Sequence, residues 1–315
     1  MSKCLYCYEP LDEGLDYHKR CSQEFFGTLN PPKISYSLSQ MAELAKNVVE
    51  RSVSVPGVQA KLSMSLIKQT QETGDSRLTV VGALGGNYIF KPPSGDFPEM
   101  PENEHLTMRI AQAYNIPVVP SGLIRLASGE LSYITMRVDR NINGGKIHMM
   151  DMFQITEAFD KYRSSMEKVG KALHNYSTNT LLDKIIFFEL SVFSFLTGNN
   201  DMHLKNFSMI ESSSGWKLAP AYDLLNVSII LPQDKEELAL TLGGRKKKIV
   251  RKHFEDFGEG LELTEKQIVG VFNRMVKNKG QAMELIHKSF LSSTMKSAYV
   301  DLLESKYQQL NLPIA

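Results

Sequence analysis

Thr197-Gly-Asn-Asn-Asp-Met-His-Leu-Lys-Asn-Phe-Ser208 places an asparagine, Asn206, five residues after an aspartate, Asp201. Pro220-Ala-Tyr-Asp-Leu224 then adds a second aspartate, Asp223. One carboxylate can take a proton, and an amide oxygen with a second carboxylate can hold a divalent cation. Phosphoryl transfer uses those parts in that order. An Asp-x4-Asn spacing is common by chance. It becomes specific when a strand lysine and a helix glutamate precede it.

Both precede it here. Leu78-Thr-Val-Val81 is apolar and β-branched, Gly85-Gly86 signals a turn, and Asn87-Tyr-Ile-Phe-Lys91 predicts a second strand. Pro92-Pro93 must end that strand just after Lys91. Thirteen residues on, Glu104 lies near the start of a helix predicted over 102–115, with Leu106, Ile110 and Ala113 at helical spacing. An ammonium on a strand and a carboxylate on the next helix can form the ion pair that sets a protein-kinase lysine against nucleotide phosphates. Singly, Lys91 and Glu104 read as surface charges. The five positions taken together point to a kinase.

Composition fits a soluble enzyme. The 315 residues provide for one two-lobed domain or two domains. A net charge of +1 gives no general electrostatic reason to bind nucleic acid or membrane. The most apolar run, Ile185-Ile-Phe-Phe-Glu-Leu-Ser-Val-Phe-Ser-Phe-Leu196, is short and contains Glu189, so it predicts a buried helix and not a membrane span. With no apolar leader at the N-terminus, a cytoplasmic protein is expected.

All three cysteines fall in the first 21 residues, as Cys4-x2-Cys7 and His18-x2-Cys21. Two pairs of soft ligands at this spacing can wrap a tetrahedral Zn²⁺. Four protein ligands leave no open position, so the metal would be structural. The other readings are incidental thiols, or a disulfide beside a free thiol. A DNA-binding module is disfavoured because the loop holds few basic residues beyond Lys19 and Arg20.

The remaining pattern predicts a linker over 27–37 and an amphipathic helix over 38–51. Residues 60–138 read as strands with the one helix, including a hairpin at 123–126 and 131–137. After about residue 150 the chain reads as mostly helical. The exceptions are short strands near 207–210 and 216–218; helices are expected at 264–277, 281–290 and 296–309. The expected fold is α+β, a two-lobed protein-kinase-like fold. A zinc-knuckle-like cap (1–27) precedes a β-rich N-lobe (28–138) and a mostly helical C-lobe (139–315).

The chain resembles the HipA-like serine/threonine kinases, toxins of bacterial toxin–antitoxin systems. The matching stretches are Ser52-Val-Ser-Val-Pro-Gly-Val-Gln-Ala-Lys-Leu-Ser63, Tyr88-Ile-Phe-Lys-Pro-Pro93, Glu102-Asn-Glu104, Met136-Arg-Val-Asp-Arg140, Gly198 to Ser208, Ala219-Pro-Ala-Tyr-Asp-Leu224 and Leu240-Thr-Leu-Gly-Gly-Arg-Lys-Lys247. Asp-x-His-x-x-Asn combined with Tyr-Asp is more specific to this group than any general kinase pattern.

The resemblance implies ATP and Mg²⁺ as cofactors, with nucleotide between the lobes. It implies Asp201 as catalytic base, Asn206 and Asp223 as magnesium ligands, Lys91 on the phosphates, and His203 as support for the catalytic loop. Met136 to Val138 would be the hinge whose backbone meets adenine. The loop around Gly57 would cover the phosphates and carry autophosphorylation on Ser54 or Ser52, expelling the loop by repulsion. An aminoacyl-tRNA synthetase is the implied protein substrate. Implied partners are a HipB-like helix-turn-helix antitoxin, through which alone DNA is met, and a small HipS-like protein.

The chain departs from the longer members of the family in two ways. Only a short segment precedes Ser52, which resembles the HipT branch, and Met136 stands where the longer type has an acidic residue. The alternative function is a small-molecule phosphotransferase of the aminoglycoside or choline kinase type. Those enzymes place the histidine before the aspartate, whereas His203 follows Asp201. A non-enzymatic zinc adaptor is the third reading, and the intact catalytic positions argue against it.

Overall fold

The computed structural model describes residues 2–41, 43–44, 61–68, 76–81, 85–141 and 144–313. Ser52, Ser54 and Gly57 lie outside the described residues, as does most of the helix expected over 38–51; residues 38–41 and 43–44 are helical. Two compact units are present.

The first unit holds residues 1–105, 119–145 and 288–290. Its strands are β1 (Ser2–Lys3), β2 (Pro10–Leu11), β3 (Leu62–Lys68), β4 (Ser76–Val81), β5 (Tyr88–Lys91), β6 (Ser121–Arg125) and β7 (Leu131–Met136). The last five form one antiparallel sheet in the order β4-β3-β5-β7-β6. Strand β5 is therefore central, with Lys91 opposite Tyr133 and Tyr88 opposite Met136. Two-residue alternation puts Tyr88 and Phe90 in the hydrophobic cluster with Met64 and Ile134, and turns Lys91 to the other face.

The cysteine-rich segment shares that cluster. Helix α1 (Lys19–Phe26) follows His18 and stops at Gly27, whose φ of 70° lets its N–H return to Gln23 O at 3.1 Å. Phe25 and Phe26 each lie 5.9 Å from the Tyr88 ring, and Cys4, Leu5, Tyr17 and Cys21 are buried beside them. Leu123 N–H donates to Leu5 O at 3.1 Å, and the Tyr17 hydroxyl donates to Leu123 O at 2.6 Å. A Cβ on Gly122 would lie 2.6 Å from the Tyr17 oxygen, so only glycine permits this approach. Helix α2 (Met100–Ala113) begins in this unit and continues into the second.

The second unit holds residues 106–118, 146–287 and 291–315. Its further elements are β8 (Met149–Asp151), α3 (Met152–Ile155), α4 (Met166–Tyr176), α5 (Thr180–Leu196), β9 (Ser208–Ser212), β10 (Gly215–Leu218), α6 (Val227–Ile230), α7 (Arg251–Gly260), α8 (Glu265–Lys288) and α9 (Ser293–Gln309). Strand β9 pairs with β8 and β10.

Helix α5 is the buried helix expected from the apolar run, with Phe187, Phe188, Val192, Phe193, Phe195 and Leu196 fully inaccessible. Its polar side chains are satisfied internally. Ser191, Ser194 and Thr197 donate to the carbonyls four residues back, at 2.7–2.9 Å. Glu189 accepts two bonds from Arg274, at 2.7 and 3.1 Å. Among the described residues no helix is long and apolar enough to cross a membrane.

The separate helices expected over 264–277 and 281–290 are one helix, α8. Gly280 disfavours a helix interior by only about 1 kcal/mol. Tertiary packing outweighs that: Asn278, Lys279 and Ala282 are buried, and the Lys279 ammonium lies 5.3 Å from the Tyr307 ring centre. The basic run at 245–248 is a bend entered through a backbone bridge between Leu242 and Arg245, and within it Lys246 pairs with Glu236 at 3.2 Å.

Candidate functional site

In the first unit, Lys91 closes β5 and Glu104 sits in the opening turns of α2. The ammonium meets both carboxylate oxygens, at 2.6 and 2.8 Å. Both side chains are almost wholly excluded from water, 4% and 1% exposed, so this is a buried pair and not a surface contact. The Lys91 ammonium also lies 5.4 Å from the Tyr133 ring centre.

Two residues before Glu104, burial first, and then the nearby Glu99 charge, push the Glu102 carboxyl up to about 7. An acid whose folded pKa is raised loses stability as pH climbs from its unfolded value to its folded one. Glu102→Gln is therefore expected to match the parent below pH 4.5 and to exceed it by on the order of 1–3 kcal/mol above pH 7. Urea unfolding at pH 4.5 and pH 8 measures both arms; an equal difference at the two pH values contradicts it.

The segment expected to be a hinge has its first two amides engaged within the unit. Met136 N–H donates to Pro120 O at 3.0 Å and Arg137 N–H to Asn87 O at 2.8 Å. Asp139, in the same stretch, sits between two guanidiniums. It accepts from Arg137 at 2.9 and 2.8 Å and from Arg140 at 2.6 Å. Burial opposes its charge, but the two arginines win and hold its carboxyl below the ordinary range.

In the second unit, α5 ends at Leu196 and the chain turns through Gly198 at φ 65°. A Cβ there would lie within 3 Å of Leu302, Asn226 and Ser228 side-chain atoms. Asp201 is held by its backbone: its N–H bonds Asn199 Oδ1 at 3.3 Å, and its carbonyl accepts from His203 N–H at 2.8 Å and Asn206 Nδ2 at 2.9 Å. Asn206 ends a 3₁₀ turn, Leu204–Asn206. The Asp201 carboxylate is 42% exposed.

His203 is buried, with Nε2 4.0 Å from Asp201 Oδ1. Burial keeps its imidazole below the ordinary range against the opposing pull of Asp201 and Asp223, so both aspartates act on this one ring. Asp223 has φ 60°, a left-handed conformation that aspartate tolerates better than most residues. Tyr222 beside it is anchored to Ser208 and to Lys205 O at 3.1 Å.

Sequence reasoning misses Tyr162. Its hydroxyl donates to Asp201 Oδ1 at 2.8 Å, and its ring stands edge-on to His203 at 5.0 Å. Burial, then the Asp201 charge, raises the phenol's pKa and keeps the proton on oxygen. No local pattern in Asp160-Lys-Tyr162 marks this contact, which spans 39 positions.

Cys4, Cys7, His18 and Cys21 converge, with one ligand atom from each within 4.8 Å of all the others. His18 Nδ1 lies 3.5 Å from Cys7 Sγ and 3.7 Å from Cys21 Sγ. Zn–S and Zn–N bonds at tetrahedral angles would separate N from S by about 3.6 Å. The other ring nitrogen, Nε2, is 2.9 Å from Pro10 O, which as donor would leave Nδ1 as the lone-pair atom toward the sulfurs. All three cysteines are unbridged. The donor set and spacing fit zinc.

The mixed α/β fold has a counterpart among solved structures. A chain from the Shewanella oneidensis MR-1 toxin–antitoxin complex of HipA, HipB and operator DNA matches with a TM-score of 0.68 at 21% identity, over 89% of this chain and 72% of that one. Residues 53–283 match the HipA-like C-terminal domain family, and the chain belongs to that family. A Haemophilus influenzae protein named "Putative kinase" is 25% identical over 307 residues, covering 88% of this chain and 86% of its own. The serine/threonine-protein kinase toxin HipA of Shewanella oneidensis is 24% identical over 254 residues, 73% of this chain and 56% of its own. The alignment with that toxin thus takes in little more than half of the toxin's length.

Proposed function

We propose that the chain is an ATP- and Mg²⁺-dependent serine/threonine protein kinase of the HipA toxin type. The observation that carries this is the buried Lys91–Glu104 pair between a central strand and the following helix. A lysine fixed in this way is a preset positive charge for nucleotide phosphates. Asp201 supports the reading because it has an exposed carboxylate on a backbone-fixed loop, suited to accept a hydroxyl proton.

Asn206 and Asp223 offer the hard oxygen ligands that magnesium requires, and Asn206 spends its amide nitrogen on the Asp201 carbonyl. Magnesium, when bound, would neutralise charge on the β- and γ-phosphates. His203 and Tyr162 bracket Asp201. The Tyr162 hydroxyl occupies one of the two oxygens an incoming serine could use, so substrate entry displaces it or takes the other oxygen. With the Met136 and Arg137 amides engaged, Val138 is the residue proposed to meet adenine.

Residues 1–27, 28–138 and 139–315 are taken as cap, N-lobe and C-lobe. The chain would act in the cytoplasm on an aminoacyl-tRNA synthetase, with a HipB-like antitoxin and a HipS-like protein as partners. The Shewanella complex with HipB and operator DNA supports the antitoxin.

The test is purified protein with labelled ATP and Mg²⁺, offered protein acceptors, aminoglycosides and choline. Label is expected on protein serine. Label on a small-molecule hydroxyl and none on protein favours the alternative phosphotransferase. Self-labelling is expected on Ser54, Ser52 or both. A double Ser52→Ala, Ser54→Ala variant should lose most self-labelling, ~10-fold or more, and keep transfer to other proteins. Peptide mapping that finds both serines unmodified and the label elsewhere overturns the assignment.

A further inference from the structure

We propose that the Cys4/Cys7/His18/Cys21 cluster, with a tetrahedral zinc ion, is a metal-dependent strut for the lysine–glutamate pair, and that Tyr8 is the positioning residue joining the two. The inference rests on the proposed kinase function only in taking Lys91 and Glu104 as the nucleotide-holding pair.

The link is short and runs through the buried residues Cys4, Tyr8, His105 and Glu104. Tyr8 directly follows Cys7, and its N–H donates to Cys4 O at 3.0 Å, closing the turn that brings the two sulfurs together. Its φ is 68°, a conformation that favours glycine and persists in other residues only where the surroundings impose it. The side chain supplies the reason for a non-glycine residue. The ring is 1% exposed, lies edge-on to His105 at 5.1 Å and to Phe290 at 5.6 Å, and its hydroxyl is 3.0 Å from His105 Nδ1.

His105 is adjacent to Glu104 on α2, and both are buried. Neighbouring residues on a helix point about 100° apart, so holding the His105 ring fixes the rotation of that turn and the direction of the Glu104 carboxylate. Glu104 in turn holds Lys91 through two bonds. Metal binding fixes the Cys4–Cys7 turn. The turn fixes Tyr8, and Tyr8 fixes the helix turn that carries Glu104. The knuckle is braced from a second side, where Lys3 donates to the carbonyls of Lys288 and Ser289 at 2.8 Å and Lys288 pairs with Glu9 at 2.8 Å.

The experiment uses the full chain, purified without chelator, and three variants: Tyr8→Phe, Cys7→Ser and Cys21→Ser. Metal analysis, amide hydrogen exchange and calorimetric titration with MgATP are run on each. About one zinc per chain is expected in the parent and in Tyr8→Phe, and less than half that in either cysteine variant. Loss of zinc should speed exchange across 2–26 and also across 100–105. Tyr8→Phe keeps the metal and the ring but loses the hydroxyl. It should speed exchange at 100–105 alone and weaken MgATP binding ~3–10-fold.

If the cysteine variants unfold altogether, Tyr8→Phe decides by itself. Unchanged exchange at 100–105 in Tyr8→Phe overturns the strut, as does parent protein with well under half an equivalent of zinc. A parent that binds no nucleotide defeats the kinase reading instead, and exchange at 100–105 still judges the strut.

Discussion

Asp201→Ala is expected to remain folded and to lower phosphoryl transfer from ATP to protein by ~10²–10⁴-fold, the range that a positioned general base contributes. Folding should survive because the loop does not depend on the carboxylate. Asp201 is tied through its backbone to Asn199, His203 and Asn206, while its side chain is 42% exposed. The substitution chiefly removes the hydrogen bond that the Tyr162 hydroxyl donates to the carboxylate. Asp223 calls for a different substitution. Its φ of 60° would strain alanine, whereas asparagine tolerates that region, so Asp223→Asn removes charge with little backbone cost. Asp223→Asn should also lower transfer strongly, and raising Mg²⁺ should recover part of it, because the missing carboxylate is a proposed metal ligand. Excess Mg²⁺ should recover nothing in Asp201→Ala. Labelling in Asp201→Ala within a few-fold of the parent would remove the assigned base.

The second large effect concerns stability. Lys91→Met removes the two bonds that the Glu104 carboxylate accepts from the ammonium in a site that is 1% exposed, and should destabilise the protein by ~3–5 kcal/mol. Glu104→Gln keeps an acceptor oxygen but removes the ammonium's buried counter-charge, with a cost of up to the same order. The double variant Lys91→Met, Glu104→Leu replaces a buried pair by apolar groups and should recover most of that loss, since desolvating two charges offsets much of their attraction. Nucleotide binding should not recover, because the charge proposed to meet the phosphates is gone. Urea denaturation of the four proteins, with MgATP titration alongside, separates fold from function. Single-variant losses under ~1 kcal/mol would mean that the pair is solvated in solution, as surface pairs are. Recovery of nucleotide affinity in the double variant would show that Lys91 does not bind phosphate.

Local patterns in the sequence carry much of the site. The Asp201–Asn206 spacing, the strand ending at Lys91 before two prolines, and the helix bearing Glu104 are contiguous motifs. Their geometry follows from backbone preferences over a dozen residues or fewer. The same holds for the Cys4/Cys7/His18/Cys21 spacing, whose two short pairs close on one point, and for the apolar run that forms α5.

Other features depend on which surfaces meet. Local turn signals around Asn278 and Gly280 suggest a helix break, but burial of Asn278 and Lys279 against the rest of the unit keeps α8 continuous. The Asp139 bonds to Arg137 and Arg140 depend on side-chain directions that a short string of letters does not fix. The hydroxyl of Tyr162 on Asp201 and that of Tyr8 on His105 join positions 39 and 97 residues apart. The sequence by itself determined which groups of chemical consequence the chain possesses and the local element that bears each one. Only the tertiary structure decided which distant side chains hold those groups in place, because such contacts are set by the packing of whole elements and leave no periodicity along the chain.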